Sequence, residues 1–187
     1  MNVNGHHTIV ALVQDKPGVL NRISSMFRRR GFNISSLAVG HSEQPDLSRM
    51  TFVVDAADAA VVDQVTKQLR KIIEVVKVSD ISHENIVARE LALIKVKCLD
   101  AVTRSEIIQI AELFRANVVD VSADSLIVEV TGDEDKIRSM ITLLSGFGII
   151  ELMRTGRVAV PRGRQGPIAP GPANAPASGA RKPRPKS

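Results

Sequence analysis

Tryptophan and tyrosine are absent from the 187 residues, and the aromatic content of 3% is all phenylalanine. That argues against stacking on bases or sugars as the main binding mode. Cysteine occurs once, at Cys98, so no intramolecular disulfide can form, which fits a reducing compartment. No apolar run approaches the ~18–20 residues needed to span a bilayer. No charged segment followed by an apolar core and a cleavage site opens the chain. The chain reads as soluble and cytoplasmic, with no membrane partner.

Catalytic signatures are missing as well. There is no GxGxxG or GxxxxGKS loop for a nucleotide. No Ser/His/Asp or Cys/His set and no convergent carboxylate pair can be assembled. The four histidines show no ligand spacing with Cys98, so no metal site is expected. The net charge of +5 invites a nucleic-acid reading until it is placed along the chain. Residues 157–187 carry seven basic groups and no acid, which leaves the first 156 residues with 18 basic against 20 acidic groups, a net of −2. Arg28-Arg29-Arg30 falls at a helix C-terminus, where cations suit the dipole. Nucleic acid is not expected as a partner.

What the chain does have is a change of period at Asp15-Lys16-Pro17-Gly18. Before it, Thr8–Val13 is an apolar, β-branched run of strand length; after it, Val19, Leu20, Ile23, Met26 and Phe27 recur at helical spacing. The pattern predicts a strand over 8–14 and a helix over 17–30, with Pro17 at the first helical position and Asp15 capping or flanking its start. A strand that turns at once into a helix leaves backbone N–H groups and a positive dipole end facing one small region. That is an anion site suited to a phosphate or a carboxylate.

Gly31 stands where a helix end wants positive φ. Strands follow at Asn33–Val39 and Arg49–Val54, joined by the loop His41–Ser48. A helix over Val61, Val62, Val65, Leu69, Ile72 and Ile73 comes next, with Asp58 as its cap, and then a strand over Val75–Ile81. The order is β-α-β-β-α-β, a ferredoxin-like unit with two helices on one face of an antiparallel sheet. It recurs. Leu91–Cys98, a helix opening near Thr103, Val118–Val121, Leu126–Val130, a helix through Ile137–Leu144, and Ile149–Met153 repeat the series. The reading is α+β: two tandem units at 6–82 and 88–160 with His83–Val87 as a joint. The second unit has Asp100-Ala101-Val102-Thr103 where the first has its Pro-Gly turn. Residues 161–187 hold seven of the nine prolines and no periodic apolar pattern, so a disordered basic tail is expected.

Asp15-Lys16-Pro17-Gly18-Val19-Leu20-Asn21-Arg22-Ile23, followed by Gly31-Phe32-Asn33-Ile34, resembles the N-terminal ACT domain of acetolactate synthase (acetohydroxyacid synthase) small subunits. Pro45-Asp46-Leu47-Ser48-Arg49-Met50-Thr51 and Arg89-Glu90-Leu91-Ala92-Leu93-Ile94-Lys95 are similar to further segments of that family. The resemblance implies a regulatory subunit, not an enzyme on its own. Such a subunit activates a catalytic large subunit and confers feedback inhibition by valine or another branched-chain amino acid. Thiamine diphosphate, magnesium and FAD would belong to the catalytic subunit, with no cofactor in this chain. It also implies a homodimer through ACT domains paired edge to edge, with the amino acid at their interface. On that reading the N–H groups around Gly18, Val19 and Leu20 hold the α-carboxylate and Asp15 faces the α-ammonium. Asn33 reaches across the interface, and Ile34 helps select a branched side chain. The chain departs from the family at Asp15, where many members carry Asn, and at Ser35, where Glu is common. The rival reading is a free-standing amino-acid-sensing transcription regulator, for which no helix-turn-helix segment or basic folded face is visible.

Overall fold

A computed structural model describes residues 6–56 and 59–163. The first half runs β1 (His6–Gln14), α1 (Val19–Arg30), β2 (Ile34–His41), β3 (Leu47–Asp55), α2 (Ala59–Leu69) and β4 (Val75–Asp80). The second runs β5 (Ile86–Lys97), α3 (Ala101–Leu113), β6 (Asn117–Val121), β7 (Ser125–Gly132), α4 (Glu134–Ser145) and β8 (Ile149–Arg154), and β9 (Val158–Pro161) closes it. Strand order is β2-β3-β1-β4 in one sheet and β6-β7-β5-β8 in the other, with β9 paired to the start of β5. All neighbouring strands are antiparallel. The two α+β ferredoxin-like units are therefore present, with the same strand order in each.

Period 2 explains how β1 is used. Ile9, Ala11 and Val13 join Val19, Ile23, Met26 and Phe27 of α1 and Val62, Val65 and Leu69 of α2 in one core. Val10 and Leu12 leave the opposite face and are buried with Ile81 and Ala159, against Ile86 and Ala88. With both faces covered, β1 needs no polar alternation, which is why it reads as a continuous apolar run. Phe27 and Phe52 stack at 5.4 Å within the first core. In the second core Ala92, Ile94, Val96 and Cys98 meet Ile107, Ala111, Ile137, Met140 and Leu144. Cys98 is fully buried, a packing residue.

Several boundaries differ from expectation. Helix α1 opens at Val19, not at Pro17. Helix α2 ends at Leu69; Ile72 packs beside the first core from the following turn, and Ile73 is 84% exposed. Past Leu69 the Lys71 and Ile72 N–H groups donate to the Gln68 and Leu69 carbonyls at 3.2 and 3.1 Å, a run of turns in place of the helix. The expected cap Asp58 lies outside the described residues. Strand β5 starts at Ile86, so Ile86 and Val87 belong to a strand and not to the joint. Pro161, assigned to the tail, is the last residue of β9 and stands opposite Ile86; residues 164–187 of the tail lie outside the described residues. Proline is tolerated at such a strand end because the ladder there needs no further donor.

The β5–β9 ribbon joins the two units. Arg49 of β3 donates to the Ala159 carbonyl at 3.0 Å. The Arg157 N–H donates to Ser36 Oγ at 2.8 Å, and its guanidinium meets Glu134 at 2.6 Å. Glu90, buried, is held by Arg154 and lies 3.8 Å from Arg157. No helix among the described residues is long and apolar enough to cross a membrane.

Candidate functional site

Lys16-Pro17-Gly18-Val19 forms a type II turn. Gly18 has φ 86 and ψ −7, and the Val19 N–H reaches the Lys16 carbonyl at 3.4 Å. Proline at the second position and glycine at the third are the residues that turn demands. Pro17 thus serves the turn, not the helix, and Gly18 becomes the helix N-cap. Open space surrounds it: a Cβ there would meet nothing within 4 Å. Glycine is needed for the backbone angle and not for close approach.

Asp15 does not cap α1. Its N–H donates to the Asp46 carbonyl at 2.8 Å, and its carboxylate faces His41 Nδ1 at 3.2 Å on the surface. The helix start consequently has no side-chain acceptor and no acid in its first turn. The contrast within the chain is sharp. Asp100 caps α3 by accepting from the Thr103 N–H, and Asp133 caps α4 by accepting from the Lys136 N–H, with Glu134 and Asp135 beside it. The first-turn donors of α1 therefore have no side-chain acceptor, and its dipole has no acid in the first turn.

Of the residues assigned to a ligand site, four gather at this turn. Asp15 and Gly18 are exposed, Leu20 is 45% exposed, and Val19 is buried in the first core. Asn33 and Ile34 are elsewhere. Asn33 precedes β2 and Ile34 opens it at the far end of the sheet, the strand's eight residues away, or roughly 26 Å at ~3.3 Å per residue. Asn33 Nδ2 donates to Asp55 Oδ2 at 2.7 Å, and Asp55 also meets His6 at 2.7 Å. Desolvation pushes the Asp55 carboxyl up, but hydrogen bonds from Asn33, Ser35 and His6 outweigh it and hold the group below its ordinary range. Ile34 is half-buried and packs on the first core with Leu37. One chain alone does not bring the two groups together.

Strand β2 is an edge of its sheet. The second unit reaches it at Gly156, where an added Cβ would stand 2.2 Å from the Leu37 oxygen and 2.5 Å from its carbon. An approach along the C=O direction would leave the carbon about 1.2 Å more distant than the oxygen. The contact is therefore onto the face of the peptide, and among the described residues no strand pairs with the outer edge of β2.

No metal site is expected from the sequence, yet the fold brings His7, Asp80 and His83 together. Linear spacing gives no sign of it. The signal is the β1–β4 register, which sets Ile9 opposite Asp80.

Comparison with known proteins decides the family. Residues 9–77 match the AHAS small subunit-like ACT domain, and residues 89–163 match the model described as the small subunit of acetolactate synthase. The chain belongs to the acetolactate synthase small-subunit family. It is 56% identical over 159 residues to a probable acetolactate synthase small subunit of Archaeoglobus fulgidus, covering 85% of this chain and 98% of that one. It is 53% identical over 160 residues to the acetolactate synthase small subunit of Mycolicibacterium smegmatis, covering 86% and 93%. The crystal structure of the small subunit from Thermotoga maritima aligns with a TM-score of 0.79 at 42% identity, covering 86% of this chain and 99% of that one. In this family member the ACT match spans β1 to β4, and the small-subunit match spans β5 to β9.

Proposed function

We propose that this chain is the regulatory partner of an acetolactate synthase catalytic subunit and that its ACT domain senses valine or a related branched-chain amino acid. Thiamine diphosphate, magnesium and FAD belong, in this reading, to the catalytic subunit. The observation that carries it is the uncapped start of α1: donors and a dipole end, with no acid in the helix's own first turn, on a turn fixed by Gly18. A carboxylate fits that requirement, and Asp15 beside it offers a counter-charge to an α-ammonium.

The separation of Asn33 from the turn favours a dimer. If two β2 edges pair antiparallel about a two-fold axis near Leu37, the partner subunit's Asn33 comes opposite His41. His41 is already in contact with Asp15. Such pairing closes an open edge, makes one sheet from two, and completes the ligand site from both copies. Effector binding at that seam would bias how the dimer holds the catalytic subunit, and the coupling must be reciprocal.

The test is to mix the purified chain with its catalytic subunit and measure acetolactate formation while titrating valine, leucine and isoleucine. Activation with inhibition by one of them is expected. Gly18→Asp puts a side chain at φ 86 and an anion at the helix start, so it should abolish effector response while keeping activation. Equal valine binding by wild type and Gly18→Asp would remove the site assignment; no activation at saturating chain would remove the function.

A further inference from the structure

We infer that His7, Asp80 and His83 form a binding site for a divalent transition-metal ion of the zinc class, clasping the connector between the two domains to β1. One nitrogen of each imidazole and one Asp80 oxygen lie within 4.8 Å of one another. Asp80 pairs with Ile9 across the β1–β4 ladder, and His7 precedes Ile9 by two residues, so both side chains leave the same face of the sheet. His83 comes from the segment that leads out of β4 towards β5. The two imidazoles meet edge to face at 6.1 Å, converging and not stacked.

His7 supplies an independent indication. Its exposure is 9%, and its Nδ1 is buried with no hydrogen-bond partner among the described residues. A buried, unsatisfied imidazole nitrogen costs stability unless something accepts its lone pair. An ion does so. The carboxylate is oriented for the task as well: Asp80 Oδ1 accepts from the Ser82 N–H at 2.9 Å and from the Ser82 hydroxyl. Ser82 Oγ in turn accepts from the Thr8 N–H at 2.9 Å. These bonds hold the Asp80 carboxylate in place, as the outer partners of a metal carboxylate do.

Two neutral imidazoles and one carboxylate suit zinc, nickel or cobalt better than magnesium or calcium, which prefer oxygen ligands. With three protein ligands the fourth position is left to water. Tetrahedral bonds of ~2.05 Å put ligand atoms about 3.3 Å apart, so the set must contract on binding. His83 is exposed and free to supply that movement. Because His83 sits between the sheets while His7 and Asp80 sit within one, an ion here pins the connector. Binding at this site stands whether or not α1 holds a carboxylate.

The experiment uses the full chain and cobalt(II) or zinc(II) alone. A visible d–d spectrum of low-coordinate cobalt and one equivalent of zinc displacing it are expected. His83→Gln, on an exposed residue, should fold normally and lose the spectrum; Ser82→Ala should weaken binding by roughly 10-fold or more. His6→Gln, whose imidazole pairs with Asp55, should change neither. Binding that survives His83→Gln, or that disappears equally with His6→Gln, would overturn the site, as would the absence of any saturable binding.

Discussion

Gly156 lies face-on against the Leu37 peptide, and a Cβ there would stand 2.2 Å from the Leu37 oxygen, 2.5 Å from its carbon and 2.9 Å from the Ala38 nitrogen. All three atoms are backbone of an edge strand, so none can rotate away. The second unit thus touches the proposed dimer strand through a position that tolerates no side chain.

Gly156→Ala should therefore destabilise the protein by about 1–3 kcal/mol, the usual cost of overpacking. Chemical denaturation checks this. Gly40→Ala, in β2 itself with nothing within 4 Å of its Cβ position, is the control and should be close to neutral. Equal effects would mean that the Gly156 contact is not a constraint.

Asn33→Ala should release Asp55. The native hydrogen bonds hold that carboxyl below its ordinary range, so its contribution to stability is fully present above the unfolded value of about 3.9 and is lost as pH falls through the lower folded value. The stability gap between wild type and Asn33→Ala should thus be widest near neutrality and shrink in acid. Carboxyl NMR titration should show the Asp55 pKa rising in the variant.

Val39→Lys places a charge on the open edge strand, on a side chain already 48% exposed. About an axis near Leu37 the two charges stand roughly 14 Å apart, so the effect is that of each lysine on the strand edge to be paired, which disfavours edge-to-edge association. Light scattering should show a shift from dimer towards monomer, with effector response lost in parallel. A variant that stays dimeric would place the interface elsewhere.

Much of this molecule is legible from its residues. The strand–helix alternation, the duplication, the buried Cys98 and the positive φ of Gly31 all follow from local pattern, and the structure has each of them. Asp15 misled because a carboxylate near a helix start usually caps it. Here the type II turn carries the chain past Asp15 before the helix begins, and His41 takes the carboxylate instead. Strand β9 was illegible because Val158-Ala159-Val160 is too short to show a period and borders a proline-rich basic stretch. Only the long-range ladder to Ile86–Arg89 makes it a strand. The His7–Asp80–His83 set was hidden for the same reason: its members are adjacent only after β1 and β4 are in register.

Strand β5 has one end in the ribbon with β9 and the other in the second sheet, and it is a single uninterrupted segment of 12 residues. Its first residues complete a core that belongs to β1. Neither half can lose its native structure without stripping apolar cover from the other. Sequence duplication would suggest two melting units; this shared strand makes them one. Calorimetry should record a single transition with matching calorimetric and van't Hoff enthalpies, where two independent domains would give two.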